Sequence, residues 1–141
     1  MGIKPNIIAP AINVTMGQRL VRKLCFECKK LEPAKPDELA AIKKELDAMP
    51  KNIARPDITN LQIGGIVGCA ACHGIGYKGR IGVYELVLVD DEMERLIAKQ
   101  PSEADVKETA FRQGQITMKQ DAILKVIVGI TDLAEVERVV G

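Results

Sequence analysis

The sequence has no tryptophan, two phenylalanines, two tyrosines and a single histidine among its 141 residues. With so few rings, any core must be built from aliphatic side chains, which a 47% hydrophobic content supplies. Charge of one sign is also missing: 20 basic side chains face 19 acidic ones, for a formal net charge of +1. That balance leaves no electrostatic footprint for general nucleic-acid binding. No apolar run approaches the roughly 20 residues that a membrane-spanning helix needs, and no signal peptide opens the chain. Direct membrane insertion is therefore not expected, and the protein is expected in a reducing cytoplasm, where cysteines seldom form structural disulfides. The chain contains no G-x-x-x-x-G-K-[ST] loop, so it is not expected to bind ATP productively by itself. Internal repeats and low-complexity stretches are absent too. The length suits one domain, or a small domain with a satellite.

What the chain does contain is four cysteines in two pairs, Cys25-x-x-Cys28 and Cys69-x-x-Cys72, with none left over. A two-residue gap lets both thiolates of a tight turn face one centre. Two such turns brought together supply the tetrahedral sulfur set that zinc prefers in structural sites. The intervening segment of 40 residues (29–68) is long, so a metal would close an excursion rather than build a minimal finger. Two thioredoxin-type redox pairs would call for strand-to-helix junctions that neither pair shows. Four thiolates also allow an iron–sulfur cluster. Structural zinc, one ion per chain on Cys25, Cys28, Cys69 and Cys72, is the leading expectation. Such a site has no open position for water, and its removal is expected to loosen residues 25–72 first. His73, which adjoins Cys72, is expected to be exposed or to lie outside the ligand set. A lone histidine without a nucleophile or carboxylate beside it is poor support for a catalytic centre.

The second cysteine pair runs straight into Gly74-x-Gly76-x-x-Gly79, the glycine pattern of a dinucleotide-binding loop. Such a loop needs a strand before it and a helix after it, so that the helix N-terminus faces the pyrophosphate. Cys72 and His73 precede these glycines, and residues 80–89, "RIGVYELVLV", read as a strand, with a bend at Gly82. Both flanks are wrong for nucleotide, and the glycines are expected to permit tight turns on leaving a metal site.

Elsewhere, Ile8, Ile12, Thr15, Leu20 and Leu24 recur at spacings near three and four, which predicts a helix within residues 6–24, starting after Pro10 if the proline delays it. Gln18, Arg19, Arg22 and Lys23 would form its basic end, either solvated against the helix dipole or facing nucleotide or a neighbouring subunit. "PDELAAIKKELDAMP" (36–50) predicts a short helix with Leu39, Ile42 and Leu46 on one face and Lys43, Lys44, Glu45 and Asp47 solvated. "NLQIGGIVG" (60–68) is a weak strand candidate. Beyond residue 90 the pattern is helical, with capping boxes at Ser102-x-x-Asp105 and Thr117-x-x-Gln120, a stop at Gly129, and Thr131 or Asp132 as a last N-cap.

"QRLVRKLC" (18–25), the two C-x-x-C pairs, "GYKGRIGVYEL" (76–86) and "KQDAILKVIVGITDLAEVERVV" (119–140) together resemble the C-terminal region of the type II secretion and type IV pilus assembly ATPases (GspE/PilB-like). The resemblance runs over nearly the whole chain in the family's order. "MGIKPNIIAPAIN" looks like the segment that follows the family's histidine box. It implies an α+β fold, mostly helical with short β-strands and a tetracysteine zinc-binding subdomain, as the C-terminal portion of a RecA-like secretion ATPase. Residues 1–24 would be a helix from the ATPase core, 25–75 the zinc-binding subdomain with an inserted helix, and 76–141 a strand segment plus a helical subdomain. Cys25, Cys28, Cys69 and Cys72 would be the zinc ligands. Gly76, Tyr77, Gly79, Arg80, Gly82, Tyr84 and Glu85 would be structural signature positions. Phe26 and Ile75 depart from the family's usual proline and threonine.

The family's Walker A, aspartate, Walker B and histidine boxes would lie upstream of Met1, so the chain looks like the non-catalytic part of a motor. No catalytic residue is expected within it, and ATP with magnesium would be cofactors only of the full-length protein. The resemblance implies a hexameric ring of such motors, with inner-membrane platform proteins as partners and a position peripheral to the inner membrane. A split ATPase completed by a separate P-loop chain, and a free-standing zinc module that binds nucleic acid, are the competing readings. The near-zero net charge and scarce aromatics count against the second.

Overall fold

The computed structural model describes residue 7 and residues 9–141. Among these, four strands and five helices follow in the order β1 (Val14–Leu24), β2 (Lys30–Pro33), α1 (Pro36–Asp47), β3 (Gln62–Gly65), β4 (Tyr77–Leu88), α2 (Asp91–Ala98), α3 (Glu103–Gln113), α4 (Met118–Ile127) and α5 (Leu133–Val140). The α+β class is as expected. None of the helices is long and apolar enough to cross a membrane.

The helix expected over residues 6–24, and with it the helical reading of 1–24, is corrected at residues 14–24. Val14–Leu24 is a strand of 11 residues, paired antiparallel with β4 from Val14 opposite Leu88 to Arg22 opposite Arg80. Residues 1–6 and 8 of those readings lie outside the described residues. The same stretch carries a period of two as well as a period near four: Val14, Met16 and Leu20 alternate with Gly17, Arg19 and Val21. A partner strand more than 50 residues away selected the former, which local periodicity cannot register. Gly17 adds to the balance, since glycine inside a helix costs about 1 kcal/mol relative to alanine. In the strand it has a use, because a Cβ there would come within 2.8 Å of Met118 Cε on α4.

The two ribbons, β1–β4 and β2–β3, are joined by the cysteine turns. Helix α1 is the one expected: Pro36 opens it, Glu38 accepts from the Lys35 N–H at 2.8 Å, and Arg55 donates to the carbonyls of Leu46 in its last turn and of Met49 just past its end. Ile42 and Leu46 are buried, while Lys43, Lys44 and Asp47 are exposed and Glu45 is half-buried. The capping boxes at Ser102 and Thr117 form as read, and Asp132 caps α5 by accepting from the Glu135 N–H. One aliphatic cluster contains Val21, Ile42, Leu46, Ile63, Val83, Ile123, Val126 and Val136. It draws on β1, α1, β3, β4, α4 and α5, so residues on both sides of the boundary expected at 75/76 share a core.

At the edge of that core sits a buried carboxylate. The Glu135 side chain is 0% exposed. It accepts from the Arg22 backbone N–H at 2.8 Å, from Arg22 Nε and Nη2 at 2.9 and 2.6 Å, and from Arg138 Nε and Nη2 at 2.8 and 2.6 Å. Thr131 donates to the Arg22 carbonyl at 2.9 Å, and Tyr77 donates to Asp132 at 2.6 Å beneath the Arg22 guanidinium, which lies 4.0 Å from the ring centre. The solvated basic helix end expected at Arg22 is thus replaced by a charge-assisted clamp that ties β1 to α5. Arg19 adds a hydrogen bond to the Val139 carbonyl. Burial works against the charge on Glu135, but donation from Arg138 and Arg22 outweighs it and holds the carboxyl down to about 2.

A carboxyl depressed in the folded state stabilises the protein above its unfolded value, about 4.3, and that contribution is lost as pH falls through about 2. We therefore expect Glu135→Gln to destabilise the chain by about 2–4 kcal/mol at pH 7, below the figure for fully buried pairs because both arginines are half-exposed. Urea unfolding from pH 7 down to 2 is the measurement. The loss of stability between about pH 4.5 and 2 should flatten in the variant.

Candidate metal centre

Each cysteine pair occupies the turn in which the chain leaves one ribbon for the other. β1 runs into Cys25–Cys28 and exits to β2, whereas β3 runs into Cys69–Cys72 and exits to β4. Because β1 pairs with β4 and β2 with β3, the two turns are forced side by side. The backbone of each turn is closed on itself: Lys29 N–H donates to the Cys25 carbonyl at 2.9 Å, and Gly74 N–H to that of Cys69 at 2.9 Å.

All four Sγ atoms lie within 4.8 Å of one another. Cys25 and Cys69 are 3.9 Å apart, Cys28 and Cys72 3.8 Å, and Cys69 and Cys72 3.7 Å. A disulfide needs about 2.05 Å, so these are free cysteines. A tetrahedron of sulfurs about 2.3 Å from a zinc ion has edges of about 3.8 Å, the length of these three separations. The four residues expected as ligands are brought together, and His73 is left out of the group. It is exposed and caps the Ala70–Cys72 turn at φ 53°.

Gly76 is the residue that the cysteine count alone misses. Its N–H donates to Cys72 Sγ at 3.2 Å, and its carbonyl accepts from the Cys25 N–H at 2.8 Å, so one peptide unit on either side binds each knuckle. Its φ is +74°, and a Cβ would stand 2.2 Å from Ile66 Cγ2. Cys72 Sγ also receives the Cys69 N–H at 3.1 Å. Burial disfavours charge on both Cys28 and Cys72, with opposite outcomes. At Cys28 burial prevails over a backbone bond at Gly68 and, with the other sulfurs, pushes the thiol up to about 12. At Cys72 the donations from Cys69 and Gly76 outweigh burial and bring the thiol down to about 6. A cation seated here would displace the protons of the remaining thiols.

The glycine pattern has the surroundings expected of a metal-site exit. A 3-10 turn at Ala70–Cys72 precedes Gly74, and Gly79 already lies inside β4, so no helix N-terminus follows. Other positions of "GYKGRIGVYEL" act in packing. Tyr77 lies under Arg22. Glu85 accepts from the Met118 N–H at 3.1 Å and Gln115 Nε2 at 3.0 Å, seating the start of α4 on β4.

Residues 1–138 match the family of type II/IV secretion system proteins. The chain belongs to that family. It is 36% identical over 141 residues to the type IV pilus assembly ATPase PilB of Thermus thermophilus, covering 96% of this chain and 14% of that protein. It is 37% identical over 140 residues to the type II secretion system protein E of Pseudomonas aeruginosa, covering 99% of this chain and 25% of that protein. The PilB of Acinetobacter baylyi is 33% identical over 139 residues, with 99% and 23% covered. The chain thus spans a quarter or less of the length of these relatives.

Gly76→Ala should disrupt the centre while leaving every sulfur in place. We expect metal affinity to fall at least tenfold, read by competition with a chromophoric chelator. Hydrogen exchange should show faster exchange at the Cys25, Cys72 and Gly76 amides, with Val21 and Val83 still protected. Unchanged affinity would mean that the glycine backbone does not organise the sulfurs.

Proposed function

We propose that this chain is the zinc-clamped C-terminal structural and interaction region of a type II secretion or type IV pilus assembly motor ATPase, and that it is not catalytic by itself. The observation that carries the reading is the close set of four sulfurs, all within 4.8 Å of one another, at the junction of the two ribbons. Sulfurs held this close suit one ion. A multi-iron cluster would spread them further apart. Four thiolates leave no position open for water or substrate, so the ion would supply structure and not chemistry. The sequence carries no P-loop, and the single histidine is exposed on a turn with no acid or nucleophile bonded to it among the described residues.

In this reading the residues that bind and hydrolyse ATP belong to the longer motor. The clamped turns hold a rigid surface against neighbouring subunits of a hexamer, or against inner-membrane platform proteins, on the cytoplasmic side of that membrane. Membership of the secretion-protein family and the PilB and protein E relatives support this placement.

Elemental analysis of protein purified without chelator should give about one zinc per chain, and removing it should lower the melting temperature. Absence of metal, or iron with visible absorption, would overturn the zinc assignment. The chain alone should show no ATP turnover above background. Turnover that arises only on mixing with a separate P-loop fragment would favour the split-ATPase reading.

A further inference from the structure

The sulfur centre and the Glu135 clamp leave one feature without a role. Arg22 on β1 and Arg80 on β4 are direct register partners in the antiparallel ribbon. Like charges placed opposite one another in this way destabilise a sheet. Arg138 from α5 joins them, and with Leu20 the three arginines line an open cleft of about 410 Å³.

One carboxylate, Glu135, is bonded to the guanidinium groups of this cleft, and it engages two of the three. Glu135 engages only Nε and Nη2 of Arg22 and of Arg138. The Nη1 of each has no protein partner among the described residues, and neither has any side-chain nitrogen of Arg80. Arg22 is held from below by the Tyr77 ring as well. Two of the three cations are therefore locked in place with donors to spare, and the third stands free across the ribbon.

We infer that the Arg22–Arg80–Arg138 cleft is a binding site for a phosphoryl group. Three guanidinium groups converging from two strands and a helix offer donors in several directions. That suits a tetrahedral dianion better than a planar carboxylate, which one arginine fork would satisfy alone. The excess of guanidinium over carboxylate lining the cleft suits the same ligand. Free phosphate and the phosphates of a nucleotide share this chemistry. The site is separate from the sulfur centre and does not rest on the identity of the metal.

The test is titration of the metal-loaded chain by calorimetry with inorganic phosphate, ADP and acetate, at ionic strength matched with chloride. Phosphate should bind with millimolar or tighter affinity, weakened at least fivefold in Arg80→Gln. The control Arg95→Gln, which removes one cation from the exposed face of α2, should leave it unchanged. ADP binding at least tenfold tighter than phosphate, and lost in the same variant, would assign the site to a nucleotide. Equal affinities would assign it to the phosphoryl ion alone. Without ligand, Arg80→Gln should melt about 1–3 °C higher, because the cross-strand repulsion is gone. Acetate binding as well as phosphate, equal phosphate affinity in wild type and Arg80→Gln, or no phosphate binding would each overturn the inference.

Discussion

The antiparallel pairing of residues 14–24 with 77–88 is the constraint from which the rest follows. It brings Leu24 against Tyr77, so the chain must leave and re-enter the ribbon at nearly one point. The residues at those two exits are the two cysteine pairs. Their sulfurs therefore come together because of a strand register set by Val21, Val83 and their neighbours in the aliphatic core. The shorter β2–β3 ribbon repeats the constraint on the other side of the turns, from Lys30 opposite Gly65 to Pro33 opposite Gln62. Four sulfurs framed by two ribbons have little freedom to rearrange.

The same register has an electrostatic consequence. Arg22 and Arg80 face each other only because Val14 faces Leu88 eight residues earlier. A buried glutamate on the last helix holds one of these arginines and a third beside it. Glu135 thus connects core packing to surface charge. Its carboxylate fixes the end of β1 on α5, and what it leaves unsatisfied makes the cleft basic. Stability and the charge of the cleft share one residue, so the effect of changing it has to be separated from that of changing Arg80, which faces Arg22 across the ribbon but makes no ion pair among the described residues.

The sulfur centre was legible because its signal is local: two C-x-x-C turns with no cysteine left over admit few other arrangements. The caps at Ser102, Thr117 and Asp132 were legible for the same reason, each being a side chain bonded to a backbone amide three residues away. The strand at 14–24 was not. Its helix-like spacing at Leu20 and Leu24 is real, and only the distant partner β4 decides between the two periods. Glu135 was hidden in the same way. In "LAEVERVV" it reads as a solvated helix charge, and nothing nearby in sequence marks Arg22, 113 residues away, as its partner. Gly76 was visible as part of a motif, but its two hydrogen bonds to the knuckles depend on how the turns meet.

These connections also bear on what a metal adds. Closing a loop of about 40 residues by a cross-link is worth about 4 kcal/mol in chain entropy by the loop-length relation. Here the ribbon already closes that loop: Leu24 is paired with Tyr77, and α1 and β3 within the excursion contribute Ile42, Leu46 and Ile63 to the common core. Much of the closure entropy is spent on pairing and packing before any ion is bound. The ion's stabilising effect should therefore concentrate on the two turns themselves, where four sulfurs would otherwise be crowded against one another and only backbone bonds join the knuckles. In particular Phe26, at the tip of the first turn, is 86% exposed and has no place in the aliphatic core. A metal here would act less as a clasp on the whole chain than as the rigid centre of a small protruding surface.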